Sequence, residues 1–302
     1  MKLASLGALK ALNLCASDRS YPHPPLPSLC AQDISHVSTK LGPSGFTLSP
    51  EEASGLEVAM IQRQMEEKMS SPLSFWGKLM GDEQDYLVAY ALAPAFGFPT
   101  KKFYFCTTSN FTLKQMPELS EEYAGKAAAV TGRFKGDPSF PLEEPPEESP
   151  DDEEGTTESF REIHRLSYTV GLIDHDVSIV PVGSFIADAA KQIIKNKSFE
   201  GLSYGAAGAL RSYVHFRKAE SPIAIASVEK PGLSRPGDIF DSITDDKPAG
   251  AWSVNYSSSN TSSYLRSMYW PGYFFFQTVG KPEYGGVYFG NGIPNKDLAF
   301  GL

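Results

Sequence analysis

The chain has 302 residues, of which 41% are hydrophobic, 21% charged and 12% aromatic. This length allows one large domain or two smaller ones, and the aromatic content argues against a mainly disordered chain. No run of about 18 apolar residues is present, so no segment is predicted to cross a membrane. The formal net charge is -9, which argues against nucleic acid as a partner because phosphate binding needs a basic surface.

The acidity is concentrated in one segment. Nine acidic residues and no basic residue lie from Glu143 to Glu158, so 27 acidic and 27 basic residues remain in the rest of the chain. Like-charge repulsion and the lack of apolar residues predict a long, disordered acidic loop at 142–158. This loop separates a predicted N-terminal α+β half, 33–141, from a C-terminal β-rich half, 159–302. Residues 1–32, which are Leu- and Ala-rich and then Pro-rich, are predicted to be a disordered extension.

Local signals predict the elements of the first half. The tetrapeptide Ser49-Pro50-Glu51-Glu52 is typical of a helix start with a capping box, and the helix should end near Met69. Three strand-like runs follow at 73–79, 85–92 and 102–107, and short connections favour an antiparallel meander. A short helix is predicted from Ser120 through Ala129.

In the second half, apolar residues predict two strands at 163–173 and 177–181 around the segment Asp174-His175-Asp176. A helix is predicted at 203–213, an irregular segment at 214–246, and aromatic strands at 252–256, 264–277 and 286–289. The predicted fold class is therefore α+β, with β-rich antiparallel sheets, a few short segregated helices and the long acidic loop in the middle.

Candidate chemistry is sparse. The three cysteines match no zinc spacing, and Cys106 lies in an apolar run where it is expected to be buried. Such cysteine usage favours a reducing compartment. The segment Asp174-His175-Asp176 could suggest a metal site, but neighbouring residues on a strand point to opposite faces, so a tight turn is the favoured interpretation. No catalytic residue, metal ligand or cofactor site is predicted.

The least ordinary feature is the aromatic run from Tyr269 to Phe276. On a strand, such a run places large rings on both faces of a sheet. One face can fill the core of the protein, and the other needs a cover from the same chain or from a partner subunit. Own-core packing and a partner interface both remain open, and stacking of a sugar or base is a third option. The interface hypothesis names five residues, Trp270, Tyr273, Phe274, Phe275 and Tyr288.

Several short motifs in a fixed order carry a resemblance. They are Phe75-Trp76-Gly77-Lys78 with Asp85-Tyr86, Gly132-Arg133-Phe134-Lys135-Gly136-Asp137-Pro138-Ser139, Phe199-Glu200-Gly201-Leu202-Ser203, His215-Phe216-Arg217, Gly250-Ala251-Trp252-Ser253, Leu265-Arg266-Ser267, Trp270-Pro271-Gly272, Tyr284-Gly285-Gly286-Val287-Tyr288 and Asn295-Lys296-Asp297-Leu298-Ala299-Phe300. Together they resemble the radial spoke head protein 9 family of motile cilia and flagella, which is related to the radial spoke head 4/6 proteins. The resemblance runs from about Asp33 to Leu302.

The resemblance implies a non-catalytic structural subunit of the axonemal radial spoke head, which supports mechanical signalling from the central pair to the dynein motors. It implies localisation to the cytoplasm, the cytoskeleton and the axoneme. The implied partners are radial spoke head 4/6-type proteins and other head subunits, self-association across the paired head, and the central pair projections indirectly. No membrane and no nucleic acid is implied. The alternative is a β-rich carbohydrate-binding protein or glycosidase that uses exposed aromatics.

Overall fold

The computed structural model describes residues 42–69, 71–93, 95, 97–143, 159–229 and 239–300, together with Ile34 and Lys40. The predicted extension at 1–32 and nearly all of the acidic loop lie outside these residues. The described stretches on either side of the loop are joined, because the Leu142 N–H donates to the Phe160 carbonyl at 3.1 Å and the Glu162 N–H donates to the Phe140 carbonyl at 2.9 Å. Leu142 and Phe160, near the two ends of the acidic segment, therefore lie close together.

Five α-helices lie wholly within the described residues. They are α1 (Pro50–Glu66), α2 (Glu121–Ala129), α3 (Glu162–Val177), α4 (Tyr204–Ala207) and α5 (Pro222–Glu229). The predicted capping box of α1 is confirmed, since the Glu52 N–H donates to the Ser49 hydroxyl at 3.1 Å and the Ser49 N–H donates to the Glu52 carboxylate at 3.0 Å. Within the described part of the chain, the search for a helix of transmembrane length and hydrophobicity found none.

Within the described part of the chain, twelve strands form one large sheet and two small ones. They are β1 (Ser74–Leu79), β2 (Tyr86–Ala93), β3 (Thr100–Thr107), β4 (Asn110–Gln115), β5 (Ile179–Pro181), β6 (Phe185–Ala187), β7 (Ile193–Lys195), β8 (Tyr213–His215), β9 (Trp252–Tyr256), β10 (Ser262–Ser267), β11 (Tyr273–Thr278) and β12 (Tyr284–Gly290). The large sheet has the order β4-β3-β2-β1-β12-β11-β10-β9, while β5 pairs with β8 and β6 with β7. The β-rich α+β class is confirmed.

The two halves of the chain meet in the centre of the large sheet. Strand β1 of the first half runs parallel to β12 of the second, with Gly77 opposite Tyr288. Every other neighbouring pair of strands in that sheet is antiparallel. The halves on either side of the acidic loop thus share one sheet and its hydrogen bonds.

Both faces of the large sheet are covered by the chain itself. Helix α3 packs Leu166, Val170 and Ile173 onto one face, in the same cluster as Phe275 and Tyr288. Helix α1 packs Leu56, Ala59 and Met60 onto the opposite face, in the same cluster as Phe274, Phe276 and Phe289. Because strand side chains alternate between faces, the successive rings of β11 serve two separate cores.

Helix α3 corrects the prediction of two strands at 163–173 and 177–181. The run from Glu162 to Val177 is a single 16-residue helix. Its buried apolar residues Leu166, Val170, Ile173 and Val177 are spaced by four, three and four, which is the period of one helix face. The β-branched residues favoured a strand, but the spacing agrees with the helix. Only residues 179–181 of the second predicted strand are extended, as β5.

Other boundaries differ more modestly. The helix predicted at 203–213 is a four-residue α4, a 3-10 turn and then β8. Strand β4, the hairpin of β6 and β7, and helix α5 inside the predicted irregular segment were not anticipated. The run predicted as β-like at 264–277 is two strands joined by a turn that contains Trp270-Pro271-Gly272.

Gly272 lies in this turn with φ of 104°, a conformation that side chains disfavour, and a Cβ there would clash with the Phe289 carbonyl. We expect Gly272→Ala to lower the free energy of unfolding by about 2 kcal/mol or more, measured by urea denaturation. Gly280→Ala is the matched control, since Gly280 has φ of 67° but open space around its missing Cβ. Equal losses in the two variants would contradict the proposed clash.

Candidate interaction surfaces

The five aromatic residues of the interface hypothesis lie inside the protein. Their exposed fractions are 1% for Trp270, 6% for Tyr273, 3% for Phe274, 0% for Phe275 and 1% for Tyr288. They are surrounded by side chains of the same chain, as expected if the aromatic run packs in the core of its own protein. A partner could reach these rings only if the covering elements moved away. The same burial leaves the aromatic run without the exposed platform that stacking on a sugar requires.

The tryptophans are held by carboxylates. The Trp76 indole N–H donates to Asp174 Oδ1 at 3.1 Å, that of Trp270 to Asp176 Oδ2 at 2.9 Å, and that of Trp252 to an Asp246 oxygen at 2.6 Å. All three tryptophans of the chain are thus bound to an aspartate. A buried indole N–H needs such an acceptor, so each pair fixes the position of a large ring in the core.

The segment Asp174-His175-Asp176 is the last turn of α3, and the predicted tight turn between strands is wrong. Each aspartate accepts from a tryptophan, whereas His175 is about half exposed and contacts Asp176 and Glu220, each at 3.2 Å. Among the residues that the structure describes, no cluster of three or more potential metal ligands occurs. Here the motif holds the sheet and the helix together.

His215 is almost completely buried in β8. Its Nε2 lies 2.8 Å and 3.0 Å from the two carboxylate oxygens of Asp246, which also accepts from Trp252. The Asp246 carboxylate therefore joins a histidine of the small sheet to the first residue of β9. The role of His215 in this contact is structural.

A small cavity lies between α3 and the central strands. Its volume is about 100 Å³ and it is lined by Trp76, Lys101, Asp174, Tyr273 and Gly286, among other residues. Sites for small molecules are usually about 300 Å³ or larger. The Lys101 ammonium donates to both Asp174 oxygens and to the Ser178 hydroxyl, each at 2.7 Å. The Lys101 ammonium and the Asp174 carboxylate in the cavity wall are therefore already paired with each other.

Cys106 is 2% exposed on β3, and burial raises the pKa of its thiol to about 12. At pH 8 the thiolate fraction falls from about one quarter for a free thiol to about 10⁻⁴. In a Cys15→Ser/Cys30→Ser background, we expect native Cys106 to react with a maleimide at least about 100-fold more slowly than in denaturant. Rapid labelling of the folded protein would contradict this.

A buried carboxylate fastens the loop at 132–138 to α3. Glu162, at the first position of α3, is 1% exposed and accepts from the Tyr86 hydroxyl at 2.7 Å, the Lys135 N–H at 2.8 Å and the Gly136 N–H at 2.7 Å. Arg165 donates to the Arg133 carbonyl at 3.1 Å and to the Gly132 carbonyl at 2.5 Å, and its guanidinium lies 4.3 Å from the centre of the Phe134 ring. Sequence reasoning missed this clamp, since Glu162 lies just before the predicted strand at 163–173 and a single acid there gives no sign of burial.

Helices α1 and α5 carry several exposed large apolar side chains. On α1, Val58, Ile61 and Met65 are 54%, 44% and 74% exposed, and their spacing of three and four places them on one face of the helix. On α5, Ile223 and Ile225 are 77% and 44% exposed. On the described surface, exposed apolar side chains are therefore grouped on these two helices, whereas strands β11 and β12 carry none; others, such as Met268 and Phe300, are scattered.

Comparison with known proteins gives a consistent result. No protein-family model matches the chain. The chain is 35% identical to "Radial spoke head protein 9 homolog" of Danio rerio over 277 residues, which cover 89% of this chain and 99% of that protein. It is 32% identical to the Homo sapiens protein of the same name over 264 residues, which cover 86% of this chain and 95% of that protein. It is 30% identical to the Xenopus tropicalis protein of the same name, over 85% of this chain and 94% of that protein.

This similarity covers most of the described fold and nearly all of each relative, so it is not confined to one motif. A match that covers at least 85% of the chain includes residues on both sides of the acidic segment. The prediction from the ordered motifs is confirmed: the chain belongs to the radial spoke head protein 9 family.

Proposed function

We propose that this protein is a non-catalytic structural subunit of the radial spoke head in the axoneme of motile cilia or flagella. The observation that carries the proposal is its family membership over nearly the full length of relatives that bear this name. Within that role, it would support mechanical signalling from the central pair to the dynein motors.

The proposed partners are radial spoke head 4/6-type proteins and other head subunits, with the central pair projections reached indirectly. Outside the acidic segment the chain carries equal numbers of acidic and basic residues. Because the net charge outside this segment is zero, the protein does not repel neighbouring subunits, and this supports a role as a subunit of a large assembly.

The mechanical part of the proposal rests on how the fold is held. The central strands of the large sheet are covered on both faces, and the halves of the chain are joined at the parallel pair of β1 and β12. Close packing on both sides makes such a body resist compression, which suits a part that transmits force. The buried polar groups of Glu162, Lys101 and Asp246 are engaged in structural contacts.

Immunolocalisation of the tagged chain in cells that lack their own copy tests the proposal. We expect the protein in the axoneme and in the same extracted fraction as the other spoke head subunits. In cilia that lack radial spokes, the axonemal signal should disappear, whereas a general axonemal component would remain. Persistence without spokes, or a purely cytosolic signal, would overturn the proposal. Co-purification with a 4/6-type protein tests the proposed partner separately.

A further inference from the structure

The outer edge of β9 presents backbone N–H and C=O groups that point away from the sheet. Within the described residues, β9 is paired with β10 alone. The Met268 N–H donates to the Ala251 carbonyl at 2.7 Å, and the Ser257 N–H donates to the Ser262 carbonyl at 2.8 Å. Because antiparallel bonding alternates along a strand, the N–H and C=O groups of Trp252, Val254 and Tyr256 point away from β10. Among the residues described, none of these outward groups has a hydrogen-bond partner.

The other edge of the sheet has protective features that β9 lacks. Strand β4 carries Lys114, its pairing with β3 is interrupted by a register shift, and Phe111 lies against Gly55 of α1. Charges, bulges and covering elements are the usual means by which proteins block an open edge. Strand β9 pairs with β10 in an uninterrupted register, and no charged residue or proline lies in it. Among the described residues no strand other than β10 pairs with it, so its outer edge can accept another strand.

We propose that β9 pairs antiparallel with β9 of a second copy of this chain, about a two-fold axis through Val254. In this register the N–H and C=O groups of Val254 bond to those of Val254 in the other chain. The same groups of Trp252 bond to those of Tyr256 in the other chain. The large sheets of the two copies would then form one continuous sheet.

Symmetry favours a second copy over a different partner. In a two-fold interface each residue near the axis meets itself or a close neighbour, so any charge there would face a like charge. No charged residue lies between Lys247 and Arg266. On one face Val254 would lie beside Val254 of the other chain, a favourable cross-strand pair. Trp252 would lie beside Tyr256, and both rings already pack on rings of their own chain. On the other face they would be Ser253 and Asn255, both uncharged.

This inference rests on the proposed function, because it names a surface for the self-association that the family resemblance implies. The isolated full chain tests it without any spoke protein, so its failure leaves the axonemal localisation untouched. By light scattering coupled to size exclusion, we expect wild type at micromolar concentration to reach twice the monomer mass of 32.9 kDa. A wild type that stays monomeric under these conditions would overturn the proposal.

Asn255→Lys is the disrupting variant, because Asn255 is exposed and the two new lysines would be diagonal neighbours at positions about 7–8 Å apart, which brings two like charges near each other. We expect association to weaken about tenfold or more while the melting temperature stays unchanged. Thr112→Lys on the exposed side of β4 is the matched control and should leave the dimer intact. An equimolar mixture of Asn255→Lys and Asn255→Glu should recover dimers. A dimer insensitive to Asn255→Lys would refute this interface.

A cysteine pair tests the register. Directly bonded antiparallel neighbours have Cα atoms about 5.5 Å apart, within the range of a disulfide. In a Cys15→Ser/Cys30→Ser background, Val254→Cys should give a covalent dimer on mild oxidation, and Asn255→Cys, one position from the axis, should do so much more slowly. Equal rates would contradict the axis through Val254. If the isolated chain is monomeric but Asn255→Lys abolishes binding to another head subunit, the edge serves that subunit and the self-pairing proposal is wrong.

Discussion

Replacing Phe275 by Ala, and separately Phe274 by Ala, is expected to lower the free energy of unfolding by about 3–5 kcal/mol in each case. Phe275 is 0% exposed and its ring packs edge-on to Tyr213, with centroids 5.7 Å apart. Phe274 is 3% exposed on the opposite face and lies against Tyr264, with centroids 5.2 Å apart. Both truncations leave a cavity in a filled core, so their effects should be similar although the rings face opposite ways.

The measurement is a thermal melt, in which a loss of this size should lower the melting temperature by about 6–20 °C. Phe300→Ala is the matched control, since Phe300 is 88% exposed and should change stability by less than about 0.5 kcal/mol. The result also decides the interface hypothesis for this segment. If either core variant kept its melting temperature and lost co-purification with a 4/6-type partner, the face that it belongs to would be an interface.

Replacing Glu162 by Ala should be as costly, by about 3–5 kcal/mol, although it removes a charged residue. The carboxylate accepts three hydrogen bonds at 2.7–2.8 Å, and its loss leaves the Tyr86 hydroxyl and two backbone N–H groups without an acceptor. Each buried donor without a partner costs about 1–3 kcal/mol. The negative charge at the first position of α3 also interacts favourably with the positive end of the helix dipole, and the variant loses this interaction.

Urea denaturation measures this loss, and limited proteolysis should show early cleavage in the loop at 132–138. Glu121→Ala is the control, because Glu121 holds the same first position in α2 but is exposed. It should change stability by less than about 0.5 kcal/mol. Similar stabilities for the two variants would mean that the Glu162 clamp is energetically unimportant.

The sequence by itself determined the elements whose signals are local. The helix start at Ser49 was predictable because a capping box is made within four residues. Strands β1, β2 and β3 and their antiparallel order followed from short apolar runs with short connections. The ordered motifs were also enough to identify the family, since they lie along most of the chain.

For the five interface candidates, the alternation of residues along a strand predicted part of the structure. Their alternation predicted which rings share a face, and the structure separates Phe274 from Tyr273 and Phe275 accordingly. Alternation carries no information about what covers each face. The cover comes from α1 and α3, which precede β11 by about 200 and 100 residues in the chain.

Tertiary structure alone decided the features that depend on distant contacts. The parallel pairing of β1 with β12 joins residues about 200 positions apart, so no local signal could specify it. Helix α3 formed where β-branched residues favoured a strand, because a helix presents Leu166, Val170 and Ile173 to one face of the sheet. Glu162 became a buried acceptor only because Tyr86 and the loop at 132–138 surround it. In each case the deciding free energy comes from burial and hydrogen bonding between segments that the chain brings together only on folding.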